Sequence, residues 1–531
     1  MSVPDLEAAG RAVELARSVV GSATQALADR GIDDHQVIAY DLAHAAAGVE
    51  GAAVLLDYGS RGDAEAAVAA AFAAEAVYDV MCRSLGREGE WGFRPGALEE
   101  ALPFVRAHRS PDFVAGLAEV DAPRHLDPDF EMVQDTFRRF AEDRIRPVAE
   151  HVHRTNGDIP EEIISGLAEM GAFGLSVPEQ YGGFASGGEH DYLGMVVATE
   201  ELSRGSLGVG GSLITRPEIL TRALVRGGTE DQKREWLPRI ATGEVMVAVS
   251  VTEPDFGSDV AGLKVTATPT EGGYLINGVK TWCTFAARAD VLMLLARTDP
   301  DRSKAHRGLS LFVVPKPRGE GAGFVFHQDP AAEGRGGEAG RLEGRPIDTI
   351  GYRGMHSYEL AFENWWVPES NLIGGEEGKG RGFYYQMEGF ENGRLQTAAR
   401  AVGVMQAAYE AAREYAVNRV VFGAPIVDYQ LTRAKLGRMA TIIQASRQFA
   451  YQAARLMAKG EGAMEASMVK AYVCRAAEWV TREAMQIHGG MGYAEEFDVS
   501  RYFVDARVLS IFEGADEVLA LRVIARRLAG S

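Results

Sequence analysis

Alanine-rich stretches such as Ala64 to Phe72 combine high helix propensity with few breakers, so residues 1 to about 125 are predicted helical. Turns are expected at Asp57-Tyr58-Gly59, at Arg61-Gly62-Asp63 and between Gly86 and Gly96. Pro123 and Pro128 mark a linker between Ala122 and Asp129. From Phe130 to about Gly243 the spacing is helical again, with Val133, Phe137, Phe140 and Ala141 on one face and Val177 to Gly183 as an irregular loop. Near Glu244 the period changes from about 3.6 to about 2. Val245 to Val251, Val265 to Ala267, Gly273 to Ile276, Val291 to Arg297, Leu309 to Val314 and Glu359 to Phe362 read as short strands between glycine-rich or proline-rich turns. Gly319 to Gly344 reads as a long surface loop. From Tyr384 helices return, with Met405, Ala408, Tyr409, Ala412, Tyr415 and Ala416 in one apolar stripe and similar stripes to Met457 and from Ala466 to Met485.

The expectation is an α+β chain of four parts: a helical extension (1–125), a helical domain (126–243), a small β domain (244–378) and a helical bundle (379–531). Residues 34–43, followed later by 73–78, loosely echo residues 428–436 followed by 476–480. A degenerate copy of the C-terminal helices and a compositional coincidence both fit.

The length of 531 residues agrees with several domains, and 46% apolar content suffices for a large core. A formal charge of −20 disfavours nucleic acid and anionic membrane as partners and leaves small anionic ligands to locally basic pockets. Cys82, Cys283 and Cys474 fit neither a disulfide framework nor a zinc site, so no metal and a reducing cytoplasm are expected. Two acids within the first seven residues do not suit a signal peptide, and no run reaches the ~20 strongly apolar residues of a membrane span.

Two stretches carry candidate chemistry. Ser510 to Glu517 sets Glu513 between the apolar pair Ile511-Phe512 and Gly514. By itself such a glutamate is as well explained as a solvated acid at a helix start. Val251 to Asp259, at a strand end, holds hydroxyls, a turn proline and a glycine. It could turn backbone N–H groups and hydroxyls toward phosphate or a heteroaromatic edge, or be a plain polar turn.

Together with three further motifs in one order, these stretches resemble the acyl-CoA dehydrogenase family over roughly 127–527. Val251-Thr252-Glu253-Pro254 with Gly257-Ser258-Asp259 resembles the family's flavin-contacting loop. Thr281-Trp282-Cys283-Thr284 resembles its Trp-x-Ser/Thr element, in which the tryptophan covers a flavin face and the hydroxyl bonds a flavin edge. Arg419 to Gly423, including Phe422, and Gln430 resemble the segment that reaches the pyrophosphate and adenosine of a neighbouring subunit's flavin. Gln486 to Gly492, with Gly489 and Gly490, resembles another cofactor-contacting element, and Phe512-Glu513-Gly514 falls where the family carries its base. The resemblance implies a helical domain, a central β-barrel and a C-terminal four-helix bundle, an FAD cofactor, an acyl-CoA substrate, a homodimer or homotetramer, and an electron-transfer flavoprotein as redox partner. Ala515 and Glu517 are added to the cofactor set. Ser258, Glu391, Arg394 and Gly514 are added to the substrate set.

The residue types suit that chemistry. Removing an α-proton from a thioester needs a carboxylate made more basic by partial desolvation, for which Phe512 and Ile511 would supply dry surroundings. Gly514 would allow close approach of substrate. The enolate oxygen needs donors, which the family provides as the base's own N–H and a flavin hydroxyl. Some members carry the base immediately before the arginine that Arg394 matches; here that position is Gly393.

Arg216 falls on the helix that lines the acyl tail in the family, where a guanidinium would suit a second carboxylate; alternatively it points outward or pairs with Glu218. The long extension and the runs Gly351 to Ser357 and Gln386 to Phe390 resemble family members acting on short dicarboxylic thioesters. They imply oxidation of (2S)-methylsuccinyl-CoA to mesaconyl-CoA in the ethylmalonyl-CoA pathway, with Tyr352, Arg353 and His356 as further pocket candidates. A glutaryl-CoA or short branched-chain acyl-CoA dehydrogenase, or a non-catalytic flavin-bound acyl-CoA binder, are the alternatives.

Overall fold

A computed structural model describes residues 4–331 and 338–530. The chain divides into two compact units. One comprises the chain up to Phe137, Val196–Arg204 and the chain from Arg394 onward; the other comprises Arg138–Met195 and Gly205–Gly393.

In the first unit the extension forms α1 (Leu6–Arg30), α2 (Gln36–Gly59) and α3 (Asp63–Ser84). The C-terminal part forms α4 (Gly382–Asn418, in this unit from Arg394), α5 (Gln430–Ala458), α6 (Ala463–His488) and α7 (Asp498–Leu509). Small residues let these helices approach closely: α2 and α3 pack on each other and on α5, and α2 also packs on α6. A Cβ added at Gly51 would come within 3.3 Å of Phe449 and 3.4 Å of Phe72. The echoing segments 34–43 and 428–436 thus open α2 and α5, each followed by a partner helix. The turn expected at Asp57-Tyr58-Gly59 is instead the last turn of α2. Tertiary bonds hold it there, because the buried Tyr58 hydroxyl donates to the Pro123 carbonyl at 2.8 Å and accepts from Gln444 at 2.9 Å.

The second unit joins helices such as Thr215–Gly227 and Glu230–Ala241 to a sheet. Its strands are β1 (Val247–Ser250), β2 (Thr266–Thr270), β3 (Gly273–Thr284), β4 (Val291–Arg297), β5 (Leu309–Pro315), β6 (Phe324–His327), β7 (Arg341–Ile347) and β8 (Ser357–Pro368). β4 pairs with β1 in parallel and with β5 antiparallel, and touches β2 at its end; the antiparallel path then runs β2–β3–β8–β7–β6. Every residue of β4 is buried, and its Val291, Met293 and Leu295 pack in one core with Leu220, Leu224, Trp236 and Leu237 of the helices.

Two expectations change. Gly319 to Gly344 is not a plain loop, since β6 and β7 pair antiparallel within it. The short strand expected at Gly273 to Ile276 runs on to Thr284, because β8 pairs along its whole length. Among the described strands this sheet makes up the expected middle β domain. Also among the described residues, no helix is long and apolar enough to cross a membrane, and no cluster of side chains could hold a metal ion.

Candidate active site

In the second unit the two flavin-type motifs lie side by side. The Thr281 N–H donates to the Thr252 carbonyl at 2.8 Å, joining the loop after β1 to the end of β3. Beneath them the fully buried Lys280 donates to the Val251 carbonyl at 2.8 Å and to Glu253 Oε1 at 2.9 Å. Glu253 also accepts the N–H groups of Lys264 (2.7 Å) and Val265 (2.9 Å), so one carboxylate closes the whole 253–265 loop. Burial lowers the Lys280 ammonium to about 8, against the opposing pull of Glu253.

The pairing of β3 with β8 shifts register between Lys280 and Cys283, and Trp282 takes a left-handed φ of 56°. Such a bulge turns one side chain away from its neighbours. Trp282 is accordingly 55% exposed, while Thr281, Cys283 and Thr284 are buried. Thr284 Oγ1 lies 3.1 Å from Ser357 Oγ. In the same loop Val251 is buried, Thr252 half-buried and Ser258 exposed.

Arg216 does not point outward. It is buried, with a guanidinium nitrogen 3.5 Å from the Tyr352 hydroxyl, and Tyr352 in turn donates to Ser212 at 2.5 Å. Glu218 accepts from Arg222 at 3.2 Å. Arg216 also acts electrostatically on Cys283, next to Trp282 in β3. The other pocket candidates are committed elsewhere: His356 places one ring nitrogen 2.7 Å from Asp158 and the other 3.0 Å from the Asn156 carbonyl. Arg353 donates to the carbonyls of Thr349 and His153. These bonds anchor the 349–356 turn, and the structure groups Tyr352, not His356, with Arg216.

In the first unit Glu513 is half-buried, with φ 54° next to Gly514 at φ 96°. A left-handed non-glycine residue costs about 1–2 kcal/mol, so its surroundings must impose it. Lys470 of α6 donates to the Gly514 carbonyl at 2.5 Å, and Asp516 N–H donates to the Ser510 carbonyl at 3.1 Å. Burial pushes the Lys470 ammonium below its usual range, opposed by Cys474, Glu513 and Asp516. Arg394 donates to Ser467, one turn before Lys470, so Arg394 and Glu513 both act on that lysine. Ile511 is 54% exposed in the turn after α7 and does not shield the glutamate as expected; Phe512 is half-buried with Arg400 over its ring. Ala515 is half-buried, Glu517 exposed, and Glu391 half-buried on α4 within the second unit.

Arg419, Phe422, Gln430, Gln486, Gly489 and Gly490 are all exposed on the first unit, Phe422 at 98% with φ 51°. Gln430 donates to Asp112 of the extension at 2.7 Å. Reading the sequence missed Lys280, Ser212 and Lys470, and named Glu253 only as part of the loop motif. The one available signal was a lysine inside an otherwise apolar stripe.

Family models match three successive stretches: the acyl-CoA dehydrogenase N-terminal domain over 127–244, the middle domain over 248–365 and the C-terminal domain over 380–529. The chain belongs to the acyl-CoA dehydrogenase family. The (2S)-methylsuccinyl-CoA dehydrogenase of Cereibacter sphaeroides is 44% identical over 404 residues, covering 76% of this chain and 70% of that protein. Butyryl-CoA dehydrogenase from Megasphaera elsdenii aligns with a TM-score of 0.67 and 29% identity over 76% of this chain and 99% of that one. A glutaryl-CoA dehydrogenase from Mycobacterium smegmatis in complex with FADH2 aligns with a TM-score of 0.65 and 26% identity over 76% and 96%. The family is FAD-dependent, so this chain is a flavoprotein oxidoreductase. The residues present fit that cofactor: the indole of Trp282 stands out of a buried strand as a free aromatic wall beside the Thr252 loop. A Cβ at Gly489 or Gly490 would meet nothing within 4 Å, which leaves room at the bundle end for a ligand to approach backbone.

Proposed function

We propose that the chain catalyses the α,β-dehydrogenation of a short dicarboxylic acyl-CoA, (2S)-methylsuccinyl-CoA to mesaconyl-CoA. The buried Arg216 beside Tyr352 carries this reading. A guanidinium there offers paired donors to a distal carboxylate, which a simple fatty acyl chain lacks. The relative from Cereibacter sphaeroides, named for that substrate, supports it.

Glu513 removes the α-proton, and its own backbone N–H donates to the thioester oxygen as negative charge develops there. FAD supplies the acceptor for the β-hydride, which no side chain can be. Trp282 would cover one face of the bound flavin, and Val251, Thr252, Ser258 and Thr284 would hold its edge. Ala515 and Glu517 contact it after the base; Ser258, Glu391, Arg394 and Gly514 contact the thioester. The exposed set Arg419, Phe422, Gln430, Gln486, Gly489 and Gly490 serves the flavin of a second copy in a homo-oligomer. An electron-transfer flavoprotein would be the redox partner. The structural likeness to a glutaryl-CoA dehydrogenase keeps glutaryl-CoA as a second reading, since the same arginine would suit that carboxylate.

The test is an artificial-acceptor assay of purified holoprotein on methylsuccinyl-, glutaryl-, butyryl- and isobutyryl-CoA, repeated with Arg216→Ala. A hydrogen-bonded charge contributes about 1.5–3 kcal/mol, so kcat/KM for the dicarboxylic thioesters should fall roughly tenfold to a hundredfold, with butyryl-CoA little affected. Equal losses on butyryl-CoA, or butyryl-CoA as the preferred substrate, would overturn the reading.

A further inference from the structure

The stretch holding Glu513 is gripped from outside the part of the chain that the family models span. Those models begin at residue 127, yet two residues of α2 reach Asp516, three positions after Glu513. The Tyr40 hydroxyl donates to Asp516 Oδ2 at 2.5 Å, and His44 Nε2 lies 3.2 Å from the same oxygen. The two rings sit one helical turn apart and meet edge to face at 4.6 Å. Asp516 is buried and closes the turn through its N–H to the Ser510 carbonyl, while Ser510 Oγ donates to Glu478 at 2.5 Å. On the other side Lys470 holds the Gly514 carbonyl. Glu513, left-handed, lies between these two anchors.

We propose that the N-terminal helical segment positions the base: Tyr40 and His44, acting through Asp516, fix the orientation of the Glu513 turn from α2. This rests on Glu513 being the base. It gives the extension a function beyond bulk stability, and it makes Tyr40 and His44 positioning residues that never touch substrate. Burial pushes the His44 imidazole below its usual range, opposed by the nearby Asp516, while His44 and the Tyr40 hydroxyl hold Asp516 below the usual carboxylate range against the opposite push of its own burial. The other charged or titratable groups acting on this cluster are Arg83, Arg475, Lys470, Cys474 and Glu517.

The test uses the full-length holoprotein and whichever of the four thioesters turns over fastest. A Tyr40→Phe/His44→Leu variant should lose tenfold or more in kcat, with KM within threefold and FAD content unchanged. Its isotope effect with α-deuterated thioester should rise, and the acid limb of its kcat–pH profile should move. Tyr40→Phe/His44→Gln, which restores an N–H donor at the histidine position, should recover most of the loss. A kcat within twofold of wild type would overturn the proposal, as would a loss that glutamine does not rescue and that tracks FAD release. If the double variant does not fold, Tyr40→Phe alone decides, with a kcat loss of threefold or more expected and an unchanged kcat and isotope effect refuting. Glu513→Gln is assayed in parallel. Full activity there would remove the base assignment and this proposal with it; an inactive Glu513→Gln beside an unimpaired double variant would remove this proposal alone.

Discussion

Replacing Glu253 by alanine tests how the flavin loop is held, and its size follows from the contacts. The substitution removes the acceptor of two backbone N–H groups, on Lys264 and Val265, and the counter-charge of Lys280. Bonds to an ionised acceptor contribute about 1.5–3 kcal/mol each, so the two N–H groups account for roughly 3 kcal/mol or more. The lysine adds a bounded amount. With its folded value at about 8, shedding the proton at pH 7 costs about 1.4 kcal/mol, one unit's worth, and an unpaired ammonium will escape by that route. The expected loss at pH 7 is therefore about 4 kcal/mol, a large part of a typical domain stability of ~5–15 kcal/mol. The sign with pH is set by the depressed lysine. Its folded form binds fewer protons than the unfolded chain, so the charge-linked deficit of the variant exists only below about pH 8, where the wild-type lysine is still charged. Urea unfolding between pH 6 and 9 in excess FAD should show the gap between wild type and variant shrinking by roughly 1.4 kcal/mol per unit up to pH 8 and then levelling. A gap that is flat with pH, or that widens above pH 8, would refute the ion-pair account. The variant should also release FAD on gel filtration.

Two further expectations can be checked directly. Glu513→Gln should abolish turnover, with kcat down at least ~10³-fold, while FAD stays bound; full activity would sink the assignment of the base. Burial depresses both His44 and His488, so the unfolded chain binds more protons and stability should fall as pH drops below about 6.5, with a slope near 1.4 kcal/mol per unit for each histidine involved. Denaturant titrations from pH 5 to 7.5 should show that slope reduced in His44→Gln, and an unchanged slope would exclude His44 as a contributor.

What could be read from the sequence follows the range of the forces involved. The change of period at Glu244 located the sheet, because alternation is written into neighbouring residues. β6 and β7 escaped because their segment is rich in glycine and charge, and β7 is made a strand by pairing with both β6 and the later β8. Trp282 was recognisable as a motif, but its exposure depends on a register shift against a strand more than seventy residues later, which no local pattern encodes. For the same reason no local pattern marks chemistry in the extension. Tyr40 and His44 look like ordinary polar positions on an alanine-rich helix until the fold brings Asp516 to them. Arg216 lay between the two extremes: its type suggested a carboxylate, and only burial distinguished that from a solvated face.

The bond between Gln430 and Asp112 shows how the extension and a cofactor role for the same glutamine can coexist. In the family resemblance Gln430 serves a flavin; here its amide donates to the extension, and Arg433 one turn later pairs with Glu119 of the same segment. Both contacts are largely solvent-exposed, and exposed polar pairs contribute about 0–1 kcal/mol each. A phosphate-bearing ligand meeting Arg419 and Gln430 together would gain charge-assisted bonds of roughly twice the strength of neutral ones, enough to displace the Asp112 contact. The firm attachment of residues 111–119 lies elsewhere: a Cβ at Gly437 would come within 2.2 Å of the Val114 carbonyl, and Leu117 is buried against the alanines of α3. Backbone packing against α5 therefore keeps the extension in place whether or not Gln430 is bound to Asp112. The glutamine is left available, and the hold on Asp516 by α2 does not depend on the state of the cofactor.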